Sequence, residues 1–197
     1  WLDWVVEGMD TGLSEEPPVR VFAMGVNEWW DEEDWPPPRT KKTHLYLSNA
    51  DGRGALQAYA PGAESPVTYN YDPMDPVPSL GGNHSADQKA EFVEIVRSGS
   101  VDQRPNEDRG DVLVFTTMAF IEDTEVSGPV TLHLWAASSA KDTDFIGRLI
   151  DVYPDGTAYN LCEGILRSRF RNDLYGDPEL LEPGDVCEYV IPLGQTC

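Results

Sequence analysis

The chain has 197 residues and carries a formal charge of −21, because 35 Asp and Glu outnumber 14 Lys and Arg. This length suits one domain with a sizeable core, and a hydrophobic content of 40% is too high for a disordered acidic tail. The acidic balance excludes nucleic acid and anionic membranes as partners, since both bind clustered Lys and Arg. No apolar run predicts a membrane span and no export signal is visible, so we expect a soluble protein whose compartment is left open.

The first segment predicts a short helix, because residues 1–9 place four apolar side chains at the spacing of one helical face: Leu2, Val5, Val6 and Met9. Such a stripe needs a covering partner. Residues 88–96 predict a second helix or part of a long loop.

Elsewhere the apolar period is close to two, which predicts strands over 19–24, 43–47, 67–71, 112–117, 130–136, 145–153, 157–161 and 186–193. The run 112–117 is apolar or β-branched almost throughout, as in a strand buried on both faces. The turn Pro154-Asp155-Gly156 between two strands predicts a hairpin. The pattern indicates an all-β fold, a jelly-roll (galactose-binding-like) β-sandwich with a short N-terminal helix.

Two stretches without this pattern are candidates for function. Residues 28–38 combine three tryptophans, Trp29, Trp30 and Trp35, with a run of four carboxylates at 31–34. Such a cluster suits a sugar-stacking or cation-binding platform, or a loop whose indoles anchor it to the sandwich or a neighbouring domain. The stretch 73–109 is long and rich in Pro and Gly, so we expect it to be functional or to pack against a partner.

The residues that catalysis needs are poorly represented. Gly-x-Ser-x-Gly is missing from the sequence, and His44 and His133 alternate within predicted strands. His84 and Ser85 in the long stretch carry the alternative of a weak independent hydrolase.

Metal and thiol chemistry are equally weak. Asp142 and Asp144 suit either a calcium ion or a turn that they fix by accepting N–H bonds. The three cysteines, Cys162, Cys187 and Cys197, are expected to be small buried side chains; pairing of two, or a bridge between chains through Cys197, stays open. We therefore assign no catalytic, cofactor-binding or metal-binding residue.

A series of motifs in the same order resembles the C-terminal domain of the serine hydrolase family that comprises X-Pro dipeptidyl-peptidases, cocaine esterases and glutaryl acylase-like enzymes. The matching segments span nearly the whole chain: 1–8, 16–25, 35–38, 71–82, 111–117, 126–130, 142–145, 151–156 and 164–171.

The resemblance implies a non-catalytic jelly roll, because the Ser-His-Asp triad of this family lies in its α/β-hydrolase domain. It implies that residues 1–12 are a terminal helix of the preceding hydrolase domain and that residues 13–197 are the jelly roll. It also implies a sandwich truncated at the C-terminus. The expected partner is a missing or separate α/β-hydrolase domain, or a second copy of the chain bound through exposed strand edges.

Overall fold

The computed structural model describes residues 1–49, 52, 54–63, 65–83 and 98–197. Within these residues the strands are β1 (Val19–Ala23), β2 (Glu28–Glu32), β3 (Tyr46–Ser48), β4 (Ala55–Gln57), β5 (Gly128–Ala136), β6 (Asp144–Val152), β7 (Ala158–Arg167) and β8 (Cys187–Thr196). Two four-residue helices, α1 (Leu2–Val5) and α2 (Arg104–Glu107), and two 3-10 turns, Leu13–Glu15 and Ser168–Phe170, accompany them. The predicted all-β class is confirmed. In the described part, neither helix has the length or apolarity to cross a bilayer.

The chain divides into two compact units. The first comprises residues 1–41, 125–128 and 197, and the second comprises residues 42–124 and 129–196.

The first unit is built around the antiparallel hairpin of β1 and β2. Its register pairs Val21 with Trp30 and Phe22 with Trp29. Because side chains alternate across a strand, Val21 and Trp30 share one face, whereas Phe22 and Trp29 share the other. Ala23 is buried on the face of Trp30, while Phe22 and Trp29 are exposed. The hairpin therefore has one covered face and one open face.

The second unit contains the sandwich. Strand β5 pairs with β8, and β6 pairs with β7 in an antiparallel hairpin. The inward side chains of β6, β7 and β8 form the core: Phe145, Leu166, Tyr189, Ile191 and Leu193. The rings of Phe145 and Tyr189 lie 4.6 Å apart between centroids, so the two strand pairs pack directly against each other.

Two glycines that lie opposite each other on β6 and β7 allow neighbouring strands to approach closely in one part of this core. Gly147 on β6 lies opposite Gly164 on β7. A Cβ on Gly164 would overlap the carbonyl oxygen of Pro192 in β8, and one on Gly147 would lie 2.8 Å from a methyl carbon of Leu132. The backbones of β7 and β8 thus approach to a distance that only glycine permits.

Most predicted strands are confirmed, but two are wrong. Residues 67–71 form no strand, and residues 112–117 form only an isolated bridge between Thr116 and Ala55. Leu113 and Val114 are exposed rather than buried on both faces. This apolar run contacts β4 at one point, where Thr116 exchanges backbone hydrogen bonds of 3.0 and 3.1 Å with Leu56 and Gly54.

Three other predictions differ from the structure or lie outside the residues that it describes. The predicted helix over 1–9 shrinks to α1, because the backbone turns at Gly8, whose φ is +67°. Strand β2 lies in the tryptophan-rich stretch where we expected a loop. The helix or loop predicted over 88–96 lies outside the described residues.

Candidate interaction sites

An arginine clamp closes the covered side of the hairpin in the first unit. Arg39 donates to Glu32 on β2, and its Nη2 donates to both carboxylate oxygens of Glu125 at 2.7 and 2.9 Å. Its guanidinium also lies 5.1 Å from the ring centre of Trp30. Burial alone would raise the pKa of Glu125, but hydrogen bonds from Ser127 and Arg39 lower it below its usual value. Trp30 is therefore already covered by a cation.

The three tryptophans of this region do not form one platform. Trp29 and Trp30 are neighbours on β2 and point to opposite faces of the hairpin. Trp35 lies beyond the strand and is half-buried, and its backbone N–H donates to Asp34. The predicted stacking surface of three indoles is therefore wrong as a group. Trp29 alone stays open, with 67% of its surface exposed.

Two cross-strand pairs occupy the open face of the hairpin. Phe22 packs edge-on against Trp29, with ring centroids 5.3 Å apart. In the next pair with the same orientation, Arg20 donates to Asp31 through Nε at 2.6 Å and through Nη2 at 3.3 Å. The hydrogen bond from Arg20 lowers the pKa of Asp31 and keeps it ionised. An aromatic pair thus adjoins a bidentate ion pair on one exposed surface.

A buried glutamine holds the long stretch 73–109 to the sandwich in the second unit. Gln103 Nε2 donates to the carbonyl of Leu80 at 2.8 Å, to that of Val101 at 2.9 Å and to Asn160 Oδ1 at 3.1 Å. Its Oε1 accepts a hydrogen bond from Arg148. Gln103 is 1% exposed, so these bonds replace all contact with water.

The same network continues to Gly82 and Gly99, a pair of glycines within the stretch 73–109. Arg148 Nε donates to Glu163 at 2.8 Å, and the Glu163 carboxylate fills the space that a Cβ on Gly82 would need. Gly82 and Gly99 exchange backbone hydrogen bonds of 2.8 and 2.9 Å. Every one of these bonds ends on a protein group, so the cluster anchors a loop and is satisfied without a ligand.

The histidines considered for catalysis are not brought together with a nucleophile in the described part of the chain. His133 Nδ1 lies 3.4 Å from Glu188 on the outer face of the β5–β8 pair, and His44 is exposed. His84 and Ser85 lie outside the described residues, so the hypothesis of an independent hydrolase stays a prediction.

The two aspartates considered as calcium ligands, Asp142 and Asp144, interact with arginines instead. Asp144 accepts two hydrogen bonds from Arg167, which lower its pKa, and Asp142 accepts the backbone N–H of Arg169 at 3.2 Å. Asp142 thus fixes a turn. No group of three or more His, Cys, Asp or Glu suited to a metal occurs among the residues that the structure describes.

The cysteines are free thiols with partly buried side chains. Cys162 and Cys187 pack against the core of the sandwich. Burial raises the pKa of Cys162, which favours the protonated thiol over the thiolate. Cys197 lies in the first unit and accepts a hydrogen bond from Ser127 at 3.4 Å.

Sequence reasoning missed both the arginine clamp and the Gln103 network. Arg39 lies 86 residues before Glu125, and Gln103 lies 57 residues before Asn160. No local motif marks either contact, because the partners meet only when the strands have paired.

These observations define a β-sandwich domain whose described polar clusters anchor loops. Residues 11–197 match the family model described as the X-Pro dipeptidyl-peptidase C-terminal non-catalytic domain, and the chain belongs to this family. The resemblance predicted from the motifs is confirmed, as is the non-catalytic character of the domain.

This chain is similar to one part of several larger proteins. Cocaine esterase of Rhodococcus sp. (strain MB1 Bresler) is 43% identical over 100% of this chain and 34% of its own length. An aminopeptidase from a marine sediment Thaumarchaeota archaeon has a TM-score of 0.78 at 29% identity, over 99% of this chain and 32% of its own. An α-amino acid ester hydrolase has a TM-score of 0.73 at 26% identity, over 91% and 31%. The chain thus spans about a third of each of these proteins.

Proposed function

We propose that this chain is the packing module of a serine hydrolase whose catalytic residues lie in an α/β-hydrolase domain, and that residues 1–12 make the contact with that domain. Family membership and the match to one third of an esterase support the association. The substrate of such an enzyme would be chosen by its catalytic part.

The observation that carries this proposal is the exposed apolar surface of residues 2–9, which comprise α1 and the turn after it. Leu2 is 66% exposed and Val6 73% exposed, and Val5 and Met9 are exposed as well. No residue of α1 is buried. Full burial of one such side chain contributes about 1.5–3 kcal/mol, so a covering domain would gain substantially from this segment. An isolated four-residue helix has no comparable reason to carry these side chains.

The contact is testable in a chimera. This chain would replace the third of the Rhodococcus cocaine esterase that it matches, the rest of that enzyme would be kept, and esterase turnover would be measured. We expect a folded, active chimera. The double variant Leu2→Asp, Val5→Asp should lower turnover or the thermal half-life at least about tenfold, since 1.4 kcal/mol already corresponds to a factor of ten.

The control is Asp3→Asn, Glu7→Gln, which changes two polar side chains in the same segment and should leave turnover as it is. A folded chimera without turnover would contradict the proposal. So would an Asp double variant that is as active and as long-lived as the parent chimera.

A second partner, another copy of this chain, is supported by the edges of the sandwich. In the described residues β6 pairs only with β7, and Ile146 and Ile165 form an exposed cross-strand pair on the outer face. An edge strand of nine residues with an apolar outer side chain is suited to strand addition. The charge of −21 on each copy opposes it, so association requires screening by salt.

Sedimentation velocity tests this second proposal. We expect monomers in dilute buffer and dimers at about 1 M NaCl, where the Debye length falls to about 3 Å. Ile146→Lys should keep the chain monomeric in both buffers, whereas Thr131→Lys on β5 should not. Monomers at every salt concentration would contradict self-association.

A further inference from the structure

Beyond its role beside a hydrolase, we infer that the open face of the β1–β2 hairpin binds a carbohydrate, with Trp29 as the stacking platform and the Arg20–Asp31 pair as the hydroxyl-binding group. The site lies wholly within the first unit and does not use α1.

The first step concerns the indole of Trp29. It is 67% exposed, although tryptophan is usually covered in a folded domain. Phe22 contacts it edge-on at 5.3 Å and an interplanar angle of 65°, which fixes its orientation without covering it. A held, uncovered indole offers a flat apolar surface to the CH face of a sugar ring at little cost in side-chain entropy.

The second step concerns the polar groups beside the indole. Arg20 uses Nε and Nη2 for Asp31, which leaves its Nη1 outside this bidentate pair. Both side chains are about half exposed, at 49% each. A guanidinium supplies donors and a carboxylate supplies acceptors, and a pair of vicinal hydroxyls can bind both.

The third step is the spacing of these two pairs. Arg20 and Phe22 are two residues apart on β1, as are Trp29 and Asp31 on β2, so successive pairs on this face are about 7 Å apart. A hexose ring stacked on Trp29 would therefore bring its edge hydroxyls to Arg20 and Asp31. An open cleft of about 430 Å³ lies between them and is lined by Arg20, Trp29 and Asp31.

The charges and rings of this face are poorly suited to other classes of ligand. An organic cation would meet the charge of Arg20 at the edge of the indole. A large apolar partner that covered Phe22 and Trp29 would also have to cover the charged Arg20–Asp31 pair beside them. Trp30 offers no second platform, because Arg39 already covers it. A neutral, hydroxyl-rich ligand is the chemistry that fits both an apolar plane and a paired donor and acceptor.

The test is calorimetric titration of the full chain with lactose, cellobiose, maltotriose and chitobiose. Because the cleft is shallow and open, we expect at least one of them to bind with a Kd on the order of 1 mM. Trp29→Ala should weaken this binding at least tenfold. Trp135→Ala is the matched control, since Trp135 is 63% exposed on the other unit, and it should bind like the parent.

Arg20→Met provides a second variant that keeps Trp29 and Phe22 in place. It should also weaken binding, and more for the sugar that bound best to the parent. The inference is overturned if none of the four sugars binds at about 20 mM, twenty times the expected Kd. It is equally overturned if binding persists in both Trp29→Ala and Arg20→Met. Circular dichroism of each variant verifies that it is folded.

Discussion

Replacing Gln103 with methionine is expected to lower the free energy of unfolding by about 1–3 kcal/mol, the cost of leaving buried polar groups without partners. The side chains are similar in size, so the change removes hydrogen bonds and leaves the volume nearly constant. The carbonyls of Leu80 and Val101 would lose their donor, and Arg148 would lose an acceptor. Because the Gln103 side chain joins the stretch 73–109 to Arg148 on β6 and Asn160 on β7, we expect the residues around Gln103 to detach first.

Urea unfolding of the parent and variant measures this loss, and protection of backbone amides from hydrogen exchange locates it. Gln57→Met is the matched control, since Gln57 lies in β4 of the same unit and is only partly buried. It should change stability by no more than about 0.5 kcal/mol, as surface substitutions do. A Gln103→Met variant within that same range would show that the network is dispensable.

Thermal stability is expected to rise with salt, because repulsion among carboxylates outweighs the ion pairs that salt also weakens. Each of the eight arginines in the described part of the chain pairs with Asp or Glu: Arg20, Arg39, Arg104, Arg109, Arg148, Arg167, Arg169 and Arg171. Such pairs contribute only about 0–1 kcal/mol each when they are exposed. The excess of 21 negative charges remains after every cation of the chain is counted.

The melting midpoint would be compared at about 0.05 and 1 M NaCl, over which the Debye length shrinks from more than 10 Å to about 3 Å. A gain of about 2 kcal/mol would raise the midpoint by about 4–8 °C for a chain of this size. NaCl is preferred to sulfate, which strengthens apolar burial by itself. The same comparison on Ile146→Lys, which the proposed self-association leaves monomeric in both buffers, excludes a contribution from dimer formation to the change in midpoint. A midpoint that stays level or falls with NaCl would contradict the prediction.

The strands that sequence reasoning found are those whose local pattern and tertiary pairing agree. The hairpin of β6 and β7 has alternating apolar residues and a Pro-Asp-Gly turn, and both elements form where they were predicted. Strand β2 was missed because Asp31, Glu32 and their acidic neighbours resemble a loop. It forms because β1 supplies Val21 and Phe22 opposite Trp30 and Trp29.

The candidate sites were predicted only in part. The tryptophan-rich stretch was singled out by composition, but composition does not reveal that consecutive indoles on a strand point in opposite directions. The Arg20–Asp31 pair beside Trp29 depends on the register of the hairpin, which the sequence of neither strand specifies alone. The role of Arg39 depends on Glu125, far along the chain.

Because Trp29 and Trp30 lie on opposite faces of the hairpin, the length of the connection between β1 and β2 determines which indole is exposed. A slip of β2 by a single position would exchange the roles of the two indoles, turning Trp30 outward and Trp29 toward Ala23. Glu32 would then face solvent, and Arg39 would lose one of its two carboxylate partners. One inserted or deleted residue between Ala23 and Glu28 that shifted the register by one position would therefore exchange the indole that the open face presents.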